Sequence, residues 1–152
     1  MIPYGRQDIT QADLDAVRDV LTSDFITQGP AISGFEGAMA EYCGADHAIA
    51  MNSATSALHV AYMALELGQG GLLWTSPNTF VATSNAALYC GADVDFVDTT
   101  PVTYVMCPKA LEAKLIAAKS AGRLPRIVIP VHFAVQSCDM AAIGALAQTY
   151  GF

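Results

Sequence analysis

Apolar and polar positions along the chain fall into blocks that alternate between two periods. In QADLDAVRDVLT, residues 11–22, Leu14, Val17, Val20 and Leu21 recur at helical spacing, with Thr10 or Gln11 near the cap. The stretch TQGPAISG breaks that pattern at Gly29-Pro30, and a short helix over 33–42 is expected to turn Phe35, Met39 and Tyr42 inward. AIAM at 48–51 reads as a short apolar strand ending at Asn52-Ser53. A long helix is predicted from Thr55 to Leu67, stopped by GQGG at 68–71 because glycine favours the position just past a helix. LLWT at 72–75 is the next strand, and 79–90 form an almost uncharged helix. A strand at 92–98, a helix at 108–120 with Pro108 in its first turn, a buried strand at 126–131 and a helix at 139–150 follow.

Strands that alternate with helices predict an α/β fold: a parallel or mixed sheet with helices on both faces. No internal repeat, linker or low-complexity tract interrupts the 152 residues, a length that fits one domain. Hydrophobic residues make up 53% and charged residues 14%, which excludes disordered, collagen-like and coiled-coil chains. Mean hydropathy is positive at +0.39. No apolar run reaches the roughly 18 residues of a membrane-spanning helix, however. A net charge of −7 argues against a nucleic-acid partner, which would need a basic patch. Cys43, Cys90, Cys107 and Cys138 are widely spaced, so they read as free thiols. The start of the chain lacks a basic stretch followed by an apolar core, and a cytoplasmic location is expected.

Three segments carry candidate chemistry, each at the end of a predicted strand. Asn52-Ser53-Ala54-Thr55-Ser56 leads into a helix N-terminus, where unpaired amides and the helix dipole can cradle a phosphate. Ser53 or Thr55 serves equally well there as an ordinary N-cap. In Ser76-Pro77-Asn78-Thr79-Phe80, the Phe80 ring can stack on a flat ligand and Asn78 or Thr79 can hydrogen-bond it; alternatively Phe80 packs in the core. His132 follows the last strand, as an acid/base group or a loop anchor. His59 is expected to be packed or capping, and His47 exposed. Serine-hydrolase elbows, zinc-protease motifs, dinucleotide fingerprints and Walker loops are absent from the sequence. Lys109, Lys114 and Lys119 share one predicted helix and read as a solvated face, poorly suited to forming a Schiff base.

Taken in order, IPYGRQDIT, ITQGPAISGFE, MNSATSALHVAYMAL, WTSPNTFVATSNAALYCGADVDFVD and PVHFAVQSCDM resemble the DegT/DnrJ/EryC1/StrS sugar aminotransferases. GRQDI, TQGP, SATSALH and VHFAVQSCDM are similar, more narrowly, to members acting in pseudaminic acid biosynthesis. The resemblance implies a fold-type I, aspartate aminotransferase-like large domain, three-layered with a mostly parallel sheet, that uses pyridoxal 5′-phosphate. It also implies amino transfer from L-glutamate to C4 of a UDP-4-keto-6-deoxy-N-acetylhexosamine, by an enzyme that is a homodimer when intact. Matched by position, Ala54 and Thr55 would hold the cofactor phosphate with Ser53 beside them. Phe80 would stack on the pyridine ring, and Thr27 and His132 would lie towards the substrate.

Where the sequence departs from the family, it departs in length first, since members are more than twice as long. Their carboxylate against the pyridine nitrogen and their Schiff-base lysine come later than residue 152. The expectation is therefore the N-terminal part of the large domain over 1–152, without the small domain, without a catalytic residue and inactive alone. A half of a split enzyme that needs a partner chain, and a non-catalytic phosphate- or cofactor-binding domain, are the alternatives. Gly71 stands where aspartate is common, and Val135 where glycine is usual. Tyr104-Val105-Met106 replaces a polar Asn-Ile-Asp-like stretch.

Overall fold

The computed structural model describes residues 5–152, and Ile2-Pro3-Tyr4 of the first motif lie outside the described residues. The chain divides into two compact units, one up to Ala50 and one from Met51 to Phe152.

The first unit holds α1 (Gln11–Leu21) and α2 (Pro30–Cys43). Thr10 is the N-cap of α1, its amide and hydroxyl both donating to Asp13 Oδ2 at 2.7 and 2.8 Å. Those two bonds hold the Asp13 carboxyl below its usual range. Helix α2 starts three residues before the predicted Ser33, because Pro30 occupies the first helical position instead of ending a loop. Gly29 is required there: a Cβ would sit 2.9 Å from Phe25 Cβ. Two further expectations fail in this unit. Leu14, Val17, Val20 and Leu21 do share the spacing of one face, yet they and Phe35, Met39 and Tyr42 are exposed, not packed inward. AIAM at 48–51 forms no strand, since no ladder partner among the described residues meets it; the Ala50 amide instead donates to Glu36 Oε1 at 2.8 Å.

The second unit runs α3 (Ala54–Ala64), β1 (Leu72–Thr75), α4 (Ala82–Tyr89), β2 (Asp93–Phe96), α5 (Pro108–Ser120), β3 (Ile127–Ile129) and α6 (Met140–Tyr150). The strands form a parallel sheet in the order β2-β1-β3. Central β1 is buried along its whole length, as an apolar run without alternation should be. Its side chains still point to opposite faces in turn. Leu72 and Trp74 join Leu111 and Leu115 of α5 and Ile143 of α6 in one cluster. Leu73 joins Tyr62 of α3 and Ala86 and Ala87 of α4 in the other. Each large apolar side chain fully buried in this way contributes about 1.5–3 kcal/mol. The result is the three-layer α/β arrangement that the periodicity predicts.

All four cysteines are free thiols. The lysine helix, however, is not a uniformly solvated face. Lys114 Nζ lies 2.7 Å from Asp95 Oδ2 and 4.8 Å from the centroid of the Trp74 ring, and it donates to the Phe96 carbonyl. Because α5 packs on the sheet, position 114 overhangs the β2 edge, and the long stem carries the ammonium over the indole. Burial at this edge pushes the Asp95 carboxyl up. The Lys114 and Phe96 hydrogen bonds, with the Lys114 and Arg123 charges, nonetheless hold it below the usual carboxylate range.

Candidate cofactor site

Helix α3 runs against the direction of the strands. Its last turn lies beside the start of β3, where Arg126 Nε donates to Leu65 O at 3.1 Å and Arg126 Nη2 pairs with Glu66 at 3.0 Å. The N-terminus of α3 therefore points to the end of the sheet where the strands finish, the end at which open α/β sheets receive ligands.

At that N-terminus, Ser53 is the N-cap in extended conformation, its Oγ accepting from the Ser56 amide at 3.2 Å. Capping is thus what the Ser53 hydroxyl does. The Ala54 and Thr55 amides are different: no acceptor among the described residues takes them. The open amides, the dipole and the missing bulk at Ala54 make an anion cradle.

Phe80 lies on the loop after β1, before α4 begins at Ala82, and its side chain is 75% exposed. It is not a core aromatic. The turn beneath it is tight: the Thr83 amide donates to Phe80 O at 3.0 Å, and the Thr79 and Thr83 hydroxyls meet at 2.8 Å. Ser76 Oγ and Asn78 Oδ1, in the same loop, are buried without a protein partner among the described residues. A buried polar atom left unpaired costs about 1–3 kcal/mol, so a bound polar group or water that satisfies it is stabilising. An anion cradle, an exposed flat ring on a rigid turn and the unsatisfied Ser76 hydroxyl at one end of a sheet fit a phosphorylated aromatic ligand.

One tie that sequence reasoning passes over spans this site. Tyr62 of α3 is 1% exposed, and its hydroxyl donates to the Thr83 carbonyl at 3.0 Å. Burial, with a smaller effect from the Cys90 thiol, pushes the Tyr62 phenol up to about 12. A phenol on an otherwise apolar helix face is the signal that could have revealed it.

His132 follows β3 and is exposed; its Nδ1 accepts from the Cys138 amide at 3.1 Å, closing the loop before α6. With Nδ1 as acceptor, the neutral ring carries its proton on Nε2. His59 packs edge-on to Tyr89, ring centroids 5.5 Å apart, and His47 is exposed. Thr27 belongs to the first unit, exposed on the loop between α1 and α2. The second unit thus gathers Ser53, Ala54, Thr55, Phe80 and His132 at the strand-finishing end of its sheet.

Residues 7–152 match the DegT/DnrJ/EryC1/StrS aminotransferase family. The chain belongs to this family. Over 150 residues it is 42% identical to the UDP-4-amino-4,6-dideoxy-N-acetyl-beta-L-altrosamine transaminase of Campylobacter jejuni, covering 99% of this chain and 39% of that protein. Spore coat polysaccharide biosynthesis protein SpsC of Bacillus subtilis is 39% identical over 150 residues, 99% of this chain and 37% of that one. The chain thus spans less than two-fifths of the length of these curated relatives. Among solved structures, Spr1654 of Streptococcus pneumoniae in its PLP form superposes with a TM-score of 0.86 at 28% identity, over 97% of this chain and 36% of that one. Its PMP form superposes equally well. The three-layer unit is accordingly the fold-type I architecture, and family and neighbours together support pyridoxal phosphate as the cofactor.

Proposed function

We propose that the chain is the N-terminal part of the large, cofactor-binding domain of a sugar-nucleotide aminotransferase. In this reading the Ala54 and Thr55 amides hold the phosphate of pyridoxal 5′-phosphate, with Ser53 fixing the cap beside them. Phe80 stacks on the pyridine ring. The observation that carries it is the pair of open amides on α3, at the same end of the sheet as the exposed Phe80 ring. When bound, the cofactor supplies an electron sink for amino-group transfer. The chain's own residues bind its phosphate and orient its ring.

The name of the Campylobacter jejuni transaminase supports a UDP-4-keto-6-deoxy-N-acetylhexosamine that accepts the amino group at C4. L-glutamate as the donor and pseudaminic acid biosynthesis as the pathway rest on the sequence resemblance alone. Thr27 and His132 lie towards that substrate, the intact enzyme is a homodimer, and it works in the cytoplasm. The three lysines all lie on α5, and Lys114 is engaged by Asp95, so none is assigned to the cofactor aldehyde. The polypeptide alone is therefore expected to bind cofactor without transferring an amino group.

The test is circular dichroism of the chain with pyridoxamine 5′-phosphate, which cannot condense with lysine. An induced signal in the cofactor band that Phe80→Ala removes is expected. A chain that gives no such signal contradicts the reading, as does glutamate-dependent amination of the UDP-sugar by the polypeptide alone.

A further inference from the structure

The geometry points to Asn78 as the residue that positions the Phe80 ring, a role that rests on the cofactor reading above. Its Nδ2 donates to the Tyr104 carbonyl at 2.6 Å, joining the loop after β1 to the loop after β2. Both ends of this tie are constrained. Tyr104 has a φ of 58°, a left-handed conformation that suits glycine or asparagine better than an aromatic residue. Such a conformation persists where its surroundings over-determine it. Here the Tyr104 amide donates to Thr100 O at 3.0 Å while its carbonyl accepts from Asn78.

At the other end, the Asn78 amide has one usable orientation. Turned over, it would aim its oxygen at the Tyr104 carbonyl, placing acceptor against acceptor. Between Asn78 and the start of α4 the chain has little slack, since Thr79 is bonded to Thr83 and Phe80 O accepts from the Thr83 amide. Phe80 itself is exposed, so packing does little to aim its ring. Its backbone does that work, and Asn78 anchors the backbone on the side facing β1.

The experiment uses the 152-residue chain and three variants. Asn78→Asp keeps the shape but replaces the donor with a carboxylate oxygen, and Asn78→Ala removes the group without adding charge. In both, the Thr83 amide is expected to exchange with deuterium about tenfold faster, while the β1 amides keep their rates. Affinity for pyridoxamine 5′-phosphate is expected to fall about tenfold. Combining either variant with Phe80→Ala costs no more than Phe80→Ala alone, as required of a residue that acts through the ring. Additive losses in the double variant, or unchanged Thr83 exchange in both Asn78 variants, overturn the assignment. If the unaltered chain does not bind pyridoxamine 5′-phosphate, the cofactor reading fails, and Thr83 exchange alone decides whether Asn78 pins Phe80.

Discussion

The Tyr62 hydroxyl donates to the Thr83 carbonyl at 3.0 Å, and this single bond ties the helix that carries the phosphate cradle to the helix that follows the Phe80 turn. It lies nine residues into α3 from the cap at Ser53 and two residues into α4 from Val81, so it links the two halves of the proposed site through their scaffold.

Tyr62→Phe removes the hydroxyl and leaves the buried ring in place. The Thr83 carbonyl then loses its donor, and stability is expected to fall by about 1–2 kcal/mol. The pH dependence has a definite sign. The folded phenol is pushed up to about 12 from 10.0, so the folded state keeps the proton longer than the unfolded one. The contribution of Tyr62 is full below pH 10 and is lost as pH rises towards 12. Urea unfolding between these limits should show a steeper loss of stability in the unaltered chain than in Tyr62→Phe.

Val135→Gly is expected to stabilise the chain. Ala134 and Val135 have φ of 49° and 68°, and the Gln136 amide donates to Phe133 O, so both central residues of this turn are left-handed. A β-branched residue is strained there, and the Val135 side chain is fully exposed, so glycine forfeits no packing. Relief of about 1–2 kcal/mol of left-handed strain outweighs the extra flexibility of glycine in the unfolded chain, which costs up to about 1 kcal/mol. A higher melting temperature is the outcome to look for; an unchanged or lower one contradicts the argument.

Gly71→Asp, the change that the sequence resemblance suggests at this position, should do the opposite. A Cβ on Gly71 would lie 2.9 Å from Gly68 O and 3.1 Å from Leu67 Cδ1, and the Gly71 amide closes the turn onto that same Gly68 carbonyl. Backbone cannot yield as a side-chain tip does, so a loss of about 1–3 kcal/mol is expected, read by thermal unfolding.

The elements of the second unit were legible because their periods are clean: LLWT is the strand over 72–75, and Pro108 opens the helix over 108–120. What failed has physical causes. AIAM has the composition of a strand, but strand formation needs a neighbour, and composition does not state whether one exists. Leu14 and Phe35 show that helical spacing defines a face without saying what covers it. Lys114 was misread because charge suggests solvent, whereas its stem reaches across the sheet edge to Asp95 and Trp74. The Ser53 cap was legible from the helical pattern it precedes, although AIAM gives it no strand to follow. The sequence left Phe80 open between core and ligand, and its place after β1 keeps it exposed. The Tyr62–Thr83 and Asn78–Tyr104 ties, 21 and 26 residues apart in sequence, leave no local pattern.

The central claim is that the open Ala54 and Thr55 amides hold a phosphate. Calorimetric titration of the chain with 4-deoxypyridoxine 5′-phosphate and with 4-deoxypyridoxine tests it most directly, because neither compound has an aldehyde to react with lysine. Charge-assisted bonds of about 1.5–3 kcal/mol predict roughly 10- to 100-fold tighter binding of the phosphorylated compound. Thr55→Asp, by placing a negative charge in the cradle, should abolish that preference. Equal affinity for the two compounds, or a preference that survives in Thr55→Asp, would contradict the account.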